Sequence, residues 1–573
     1  MDIYAVNDEL IATLTKSEKI VPISKAFKLC ETNADKVKFV EDLLVEYDRI
    51  PKCDLRNAKN NNRSKELRQK GNELFAQRKT FEALELYNHS ICLADTKENC
   101  EELAIGYANR SAVYFKWKMY EQCGQNIELA KKAGYPKRLM DKLLKRETDC
   151  LEHINNEFKP AQNNYVPQLQ IEANPQIPFI ANCLEMQESQ EEGRYITTNI
   201  ELSPGEVVAI EEPYAVYLQN TSRYHRCTNC LAENNLNLIP CPLCTNAMFC
   251  SEGCLKQAYE EHHQFECPII DCLATLFNKI HMTALRVTLK ALQSFESIDE
   301  MMQFCRENES SNATTFSLDH TRNLSALERY KPIHCLATNE EKRKASDLFQ
   351  RATIAAVLKN QLLKHTKLKD ILTTDDSQSA FVEILYRHLQ TAPTNFHTLD
   401  LAETPSMAGI EYANGAYPFC SLLNHSCAPN ICRMSIGRKM MVFALRVIQR
   451  GEQLFDNYGY HHCMMTKENR QESLMFQYNF TCNCCACRND YGTIIELPMA
   501  PNMPDIHSDR DIEKLTLLDE EFASNNLKRY CQYLKNFDSH YPCRQIAEAQ
   551  ENLKMCLHIL VANYSLKAKP ERF

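Results

Sequence analysis

With 573 residues the chain is too long for a single core, and at about 150 residues per domain it predicts three or four. Hydrophobic residues at 44% and charged residues at 25% are globular values that argue against wholesale disorder. The 66 basic and 75 acidic side chains leave a net charge of −9 without a basic stripe, which excludes a nucleic-acid binder working by phosphate neutralisation. The start lacks the apolar core of a signal peptide, and no apolar run approaches the ~18 residues of a membrane span. The expectation is a soluble monomer of the cytoplasm and nucleus, with no membrane and no direct sequence-specific nucleic-acid partner.

Glycine is scarce at 13 residues, and neither G-x-G-x-x-G nor G-x-x-x-x-G-K-[ST] occurs. Dinucleotide folds, P-loops and glycine-rich kinase loops need those glycines for close backbone approach to phosphate, so these classes are excluded. Cysteine is abundant, at 28 residues. Without a sign of secretion, clustered cysteines read as metal ligands and scattered ones as small buried hydrophobes rather than disulfides.

In chain order, 1–62 reads as two N-terminal helices, with the polar run 57–66 as a linker or helix start. Residues 63–158 carry a repeat. Gly71, Asn72, Ala83, Tyr87 and Ser90, then Tyr114, Tyr120, Cys123, Ile127 and Ala130, occupy the small and aromatic positions of tetratricopeptide helix pairs. Ala83 and Cys123 are 40 residues apart rather than 34, which predicts a second helix extended through DTKENCEEL, and a helix from Lys137 to His153 caps the array. A proline-rich connector covers 159–182. Strand-like segments follow at 194–198, 206–210 and 215–218, and 268–400 reads as a long helical insert. Short β segments resume at 433–448, and 491–573 is helical and extends the repeat array.

The densest chemistry lies in 227–267: Cys227-x2-Cys230, Cys241-x2-Cys244, Cys250-x3-Cys254 and His263-x3-Cys267. Two-residue gaps let both thiolates of a turn reach one tetrahedral zinc, and i,i+4 spacing puts His263 and Cys267 on one helical face. Eight ligands make two sites, and so short a segment folds on metal rather than on a core. His262 is an alternative to His263 with poorer spacing. A second cluster, Cys482-x-Cys484-x2-Cys487, has three spaced ligands; Cys427 is the candidate fourth, and Cys485 a spare. His461, His462 and Cys463 read as loop residues.

The first cluster resembles the MYND finger. That resemblance interleaves the ligands, with Cys227, Cys230, Cys250 and Cys254 on one zinc and Cys241, Cys244, His263 and Cys267 on the other. MYND fingers bind proline-rich peptides. GRY (193–195), NHSCAPN (424–430), GEQLFDNYG (451–459) and FTCNCCAC (480–487) resemble a SET domain with its post-SET cysteines. A MYND finger inside a SET domain is similar to the SET-and-MYND family of protein-lysine methyltransferases, in its tetratricopeptide-bearing branch.

The resemblance implies an α+β fold: a β-rich SET core with an inserted finger and helical insert, flanked by N-terminal helical repeats and C-terminal helices. Its segments run 183–226 for the SET N-terminal part, 227–267 for the finger and 268–400 for the insert. The catalytic part then spans 401–480, the post-SET cluster 481–490 and the C-terminal helices 491–573. It implies S-adenosylmethionine as cofactor, three structural zinc ions and a lysine of a histone or non-histone protein as substrate. Gly193, Arg194 and Tyr195 fall on the cofactor loop, with Tyr195 where a second glycine is usual. Asn395, Asn424 and His425 match cofactor-contacting residues, and Tyr458 the catalytic tyrosine, with Tyr460 an alternative. Tyr478 and Phe480 match the aromatic lysine channel, or form one face of a buried strand.

The chemistry suits such residues. Methyl transfer from a sulfonium is an in-line displacement governed by alignment. The attacking lysine must be neutral although its reference pKa is ~10.4, and an aromatic channel disfavours the ammonium. Chromatin or corepressor proteins are expected partners of the finger and repeats. The alternative is an adaptor with a catalytically inactive SET core that recruits transcriptional or chaperone partners.

Overall fold

The computed structural model describes residues 2–53, 55, 58–97, 99–156, 165–232, 237–308, 311–401, 410–506 and 509–567. Three N-terminal helices are present where two were expected: α1 (Ile3–Lys16), α2 (Ile20–Lys28) and α3 (Asn33–Glu46). Asp2 caps α1, and Thr32 with Asp35 forms a capping box on α3, satisfying N–H groups that a helix start leaves bare. Their apolar faces, including Val6, Leu10, Val40 and Leu44, join the core of the helical insert, whose long helices are Lys279–Leu292, Ala345–His365 and Asp375–Asn395. Cys53 and Cys272 form a disulfide between the end of this N-terminal segment and the insert. That corrects the expectation that scattered cysteines are only buried hydrophobes: the helix packing brings two that are distant in sequence face to face.

The same region makes stability pH-dependent. His281, hydrogen-bonded to Tyr4 at 3.3 Å, and His334, bonded to Tyr330 at 3.2 Å, are buried. Desolvation, helped by Arg351 and Arg387, holds both imidazoles down at about 3. The folded chain keeps them neutral, whereas the unfolded chain protonates them near pH 6.5. Stability is expected to fall as pH drops below about 6.5, by up to about 1.4 kcal/mol per pH unit for each. Thermal unfolding between pH 7 and 5 checks this, and His281→Gln should flatten the slope.

The repeat comprises α4 (Asn61–Ala76), α5 (Thr80–Leu93), α6 (Glu101–Lys116), α7 (Tyr120–Lys132) and α8 (Met140–Asn156). Gly71 is required by close approach, since a Cβ there would lie 2.6 Å from the Tyr87 ring. The 40-residue spacing has a different origin from the expected one. α5 ends at Leu93, and the chain reaches Glu101 through a loop in which Asn99 takes a left-handed φ of 59°. Asp95 binds the Lys97 backbone N–H at 3.1 Å, a local turn that competes with helix continuation.

The SET region is a set of small sheets rather than one. β1 (Leu184–Ser189) pairs with β2 (Gly193–Thr198). β3 (Val207–Glu211) pairs with β11 (Lys439–Ala444), which also pairs with β10 (Ile431–Ile436). β4 (Ala215–Leu218), β8 (Ile410–Ala416) and β7 (Phe396–Leu401) form a third sheet. β5 (Ile239–Pro240) and β6 (Met248–Phe249) belong to the finger, whose helix α9 spans Glu252–Ala258.

The finger packs against the repeats in one buried cluster with Tyr87, Ile91, Tyr107 and Ile127. At its centre Arg110 is fully buried and bonds Asn126 at 2.6 Å, Asn88 at 2.8 Å and the Leu238 carbonyl at 2.8 Å. The C-terminal helices Glu520–Phe537 and Arg544–Lys567 do not extend the repeats. They cover β3 and β11, with Tyr530, Leu553 and Leu557 against Val207, Met441 and Phe443. The start of the expected connector and residues 402–409 of the expected catalytic part lie outside the described residues. Among the described residues no helix is long and apolar enough to cross a membrane.

Candidate active site and metal centres

Three clusters bring four ligand atoms each within 4.8 Å of one another: Cys227, Cys230, Cys250, Cys254; Cys241, Cys244, His263, Cys267; and Cys427, Cys482, Cys484, Cys487. A tetrahedron with ~2.3 Å zinc–sulfur bonds has edges of about 3.8 Å. Cys230–Cys250 is 3.5 Å, Cys250–Cys254 3.4 Å, Cys241–Cys267 3.8 Å and Cys427–Cys487 3.6 Å. His263 Nε2 stands 3.3 Å from Cys241 Sγ and 3.7 Å from Cys244 Sγ. The interleaved pairing matches the one the resemblance implies, and the donor sets fit zinc.

His262 is not a ligand. Its Nδ1 lies 3.1 Å from Glu266, which also pairs with Arg286 at 2.8 Å, and all three are buried. A π-turn over Tyr259–His263 directs the two histidines apart, a local geometry that i,i+4 counting does not contain. Cys485 stays outside its cluster. His461, His462 and Cys463 also gather, but three consecutive residues cannot surround an ion. His462 uses Nδ1 on the Gly492 carbonyl at 3.1 Å and Nε2 on Tyr541 at 2.9 Å. The loop reading of these residues stands.

The SET motifs meet through two short parallel strands, β9 (Asn424–His425) and β12 (Phe455–Asp456), which set Asn424 against Phe455 and His425 against Asp456. Asn430 locks this pairing, with Nδ2 on the Gln453 carbonyl at 2.8 Å and Oδ1 accepting from Phe455 N at 2.6 Å. Tyr458 N then donates to His425 Nδ1 at 3.1 Å, and Tyr458 Oη donates to the Leu423 carbonyl at 2.9 Å. Tyr458 lies 5.1 Å from the His425 ring and 4.8 Å from Tyr478; Phe480 is 6.1 Å from His425. Burial pushes the Tyr458 and Tyr478 phenols up and the His425 imidazole down to about 4, so all three are neutral at pH 7. Tyr478 closes the helix Lys467–Tyr478, and Asn479 turns the chain with a φ of 58°. The alternative of a strand face for Tyr478 and Phe480 is thereby corrected. Tyr460 is engaged elsewhere, on Gln477 at 2.6 Å.

The expected cofactor residues converge on one rim. Asn424 Nδ2 donates to the Glu192 carbonyl at 2.9 Å, beside Gly193, whose φ is 63° and whose Cβ position is open. Arg194 reaches the Cys335 carbonyl at 3.4 Å, and Asn395 Nδ2 the Ala337 carbonyl at 3.0 Å. Ser421 Oγ binds the Asn395 carbonyl at 2.8 Å. Tyr195 sits on β2 opposite Gln187.

The segment 335–337, which carries no motif, and a polar triad beside Tyr458, of which Asp456 is buried, had no signal in the sequence. In that triad Arg433 pairs with Asp456 and with His397 Nδ1 at 2.8 Å. Burial pushes Asp456 up, against the pull of Arg433, and holds His397 neutral. A cavity of about 420 Å³ opens next to them, lined among others by Asp400, Gly459, His461, Glu551 and Lys554. Its far wall is the helix Arg544–Lys567, which the sequence did not place there.

A family model for the SET domain matches residues 193–459. "Protein-lysine N-methyltransferase SMYD4" of Danio rerio is 27% identical over 74% of this chain and 65% of its own length. The Mus musculus protein of the same name is 26% identical over 73% of this chain and 66% of its own. "Histone-lysine N-methyltransferase SMYD3" of Mus musculus is 28% identical over 50% of this chain and 57% of its own length. The chain spans just under two thirds of the length of the SMYD4 relatives. The paired motif strands, post-SET cysteines and inserted two-centre finger are the features that the chain shares in likeness with SET-domain proteins of the MYND-bearing kind. The chain is similar to the SET-and-MYND family.

Proposed function

We propose that the chain is a protein-lysine N-methyltransferase that uses S-adenosylmethionine. The observation that carries this reading is the joining of the NH motif to the Tyr458 motif by β9 and β12, with neutral aromatic rings closing over the tyrosine. Gly193, Arg194, Tyr195, Asn395, Asn424 and His425 would hold the cofactor, whose sulfonium supplies an electrophilic methyl group when bound. The open Cβ position at Gly193 leaves space for a ligand beside the segments that Asn424, Arg194 and Asn395 tie together.

The chain's own residues do the remaining work. Tyr478 and Phe480 would line a desolvated channel that favours the neutral amine over the ammonium. The Tyr458 hydroxyl spends its proton on the Leu423 carbonyl, so its lone pairs are left to accept an N–H of the incoming lysine and aim the nitrogen lone pair. As a neutral phenol it orients rather than abstracts a proton. The cavity between β10 and the helix Arg544–Lys567 would receive the protein segment carrying the lysine. Three zinc ions would serve as structural centres, and chromatin or corepressor proteins of either compartment remain the partners proposed from the family.

Calorimetric titration of the zinc-loaded chain with S-adenosylmethionine tests the reading without a known substrate. Saturable binding is expected, and Asn424→Ala should weaken it at least about tenfold by removing the tie to Glu192. Absence of binding by folded, zinc-replete protein would instead favour the adaptor.

A further inference from the structure

One acidic side chain lies buried beneath the motif strands. Glu211 ends β3, pairs through its backbone with Met440 of β11, and is 1% exposed. Among the described residues it forms no ion pair. Instead Oε1 accepts the Phe419 backbone N–H at 2.7 Å and Oε2 the Cys420 N–H at 2.9 Å, and the Cys420 thiol adds a further donor. The carboxylate thereby caps the turn Cys420–Leu422, which leads directly into β9. Two successive N–H groups need two acceptor oxygens; a carboxylate supplies both, whereas an amide supplies one.

That turn carries much of the site. Ser421 Oγ within it reaches the Asn395 carbonyl at 2.8 Å, and the Leu423 carbonyl at its end accepts the Tyr458 hydroxyl at 2.9 Å. Asn424 follows, bonded to the Glu192 carbonyl at 2.9 Å. A displaced turn would move the cofactor rim and the tyrosine tether together. Glu211 is also a group whose charge changes near neutral pH, because desolvation pushes its carboxyl up to about 7 against the pull of the backbone donors. The groups around it keep theirs. Burial keeps the Cys420 thiol and the Tyr417 phenol protonated, Arg433 is paired with Asp456, and Glu212 is held by Arg438 at 2.8 Å and Lys439 at 3.2 Å. Protonating Glu211 makes its charge-assisted bonds neutral and turns one acceptor oxygen into a hydroxyl among donors.

We propose that Glu211 is a positioning residue for the cofactor site: its carboxylate form sets the turn that S-adenosylmethionine binds, and binding expels a proton from it. The inference rests on the methyltransferase reading and adds a link between cofactor occupancy and protonation. The proton leaves the Glu211 hydroxyl for the buffer, and the two N–H groups regain both acceptor oxygens. By linkage, a cofactor that prefers the carboxylate form lowers the proton affinity of Glu211 by the same factor. A tenfold preference would release about 0.4 proton per cofactor bound at pH 7 and weaken binding about fivefold between pH 8 and pH 6.

Calorimetric titration of the zinc-loaded full chain with S-adenosylmethionine, in buffers of different ionisation enthalpy, counts the protons released. The unsubstituted chain and Glu211→Gln are compared at pH 7, where the cofactor's own amino group contributes equally to both. About 0.4 proton more is expected from the unsubstituted chain. Glu211→Gln keeps one acceptor oxygen but turns an amide N–H toward the turn, so it should bind about tenfold more weakly at pH 8 and only about twofold more weakly at pH 6. A purely structural cap would lower the thermal stability of Glu211→Gln without this difference in protons. Equal proton release by the two folded proteins overturns the proposal. If circular dichroism shows Glu211→Gln unfolded, Cys420→Ala replaces it: loss of the thiol donor should move the maximum of proton release to higher pH, and an unmoved maximum overturns the proposal. Absence of cofactor binding by folded, zinc-replete chain removes the methyltransferase reading and this proposal with it, whereas binding without the proton difference removes the proposal alone.

Discussion

Removing zinc from the finger is expected to loosen the repeat helices as well as the finger itself. The segment 227–267 owes its shape to Cys227, Cys230, Cys250, Cys254 and to Cys241, Cys244, His263, Cys267, and structural zinc sites of this kind contribute about 10–16 kcal/mol of apparent binding energy at pH 7. The consequence reaches further, because Arg110 of α6 ends on the Leu238 carbonyl, and Asn88 of α5 donates to the Tyr224 carbonyl at 2.7 Å. Once the finger unfolds, Arg110 keeps its charge but loses a buried partner, and its environment opens to water. Hydrogen-exchange mass spectrometry before and after chelation should show loss of protection in 227–267 together with α5, α6 and α7. The helices Ala345–His365 and Asp375–Asn395, whose core holds no cysteine of the clusters, should keep theirs. Unchanged protection in α5–α7 would mean that the finger does not support the repeats.

Tyr458→Phe is the substitution with the largest expected effect on turnover. The ring remains, so packing against His425 and Tyr478 survives, and the Tyr458 backbone N–H still donates to His425. Only the hydroxyl is lost, together with its tether to Leu423. Removing a single preorganised group of this kind typically costs on the order of 10²- to 10³-fold in rate. Cofactor affinity should change by less than about threefold, since the rim runs through Asn424, Arg194 and Asn395. Single-turnover rates beside binding titrations separate the two quantities, and equal losses in both would place Tyr458 in cofactor binding rather than orientation.

The parts of the site legible in the sequence are those whose chemistry fixes residue type and spacing together. Metal ligands must be Cys or His at turn-sized gaps, so the candidate ligands of 227–267 and Cys482, Cys484 and Cys487 stand out by spacing, whereas Cys427, 55 residues from Cys482, was a candidate only and joins them through the fold. The NH and Tyr458 motifs were legible only through their resemblance to a SET domain; their parallel pairing through β9 and β12 comes from the fold.

What escaped depends on contacts between distant segments. Residues 335–337 meet Arg194 and Asn395 only through backbone carbonyls, which any side chain supplies. His397 and Arg433 become partners because β7 and β10 lie side by side, and nothing in either segment announces a polar pair between them. The loop after α5 and the helix end at Tyr478 were misread where helix and its alternatives have similar local preference, and the outcome was set by Asn99 and Asn479 in left-handed conformations. The C-terminal helices were recognised as helices, but their docking on β3 and β11 rests on a tertiary apolar match that periodicity cannot address.

The most direct test of catalysis is methyl transfer itself. Zinc-loaded protein is incubated with methyl-labelled S-adenosylmethionine and a denatured cell extract as a pool of lysines, and the products are hydrolysed to amino acids. Label is expected on the lysine Nζ as methyl-lysine, with Tyr458→Phe reducing it by about 10²-fold or more under identical cofactor saturation. Saturable cofactor binding without labelled methyl-lysine from any extract, or label undiminished in Tyr458→Phe, would contradict the methyltransferase reading.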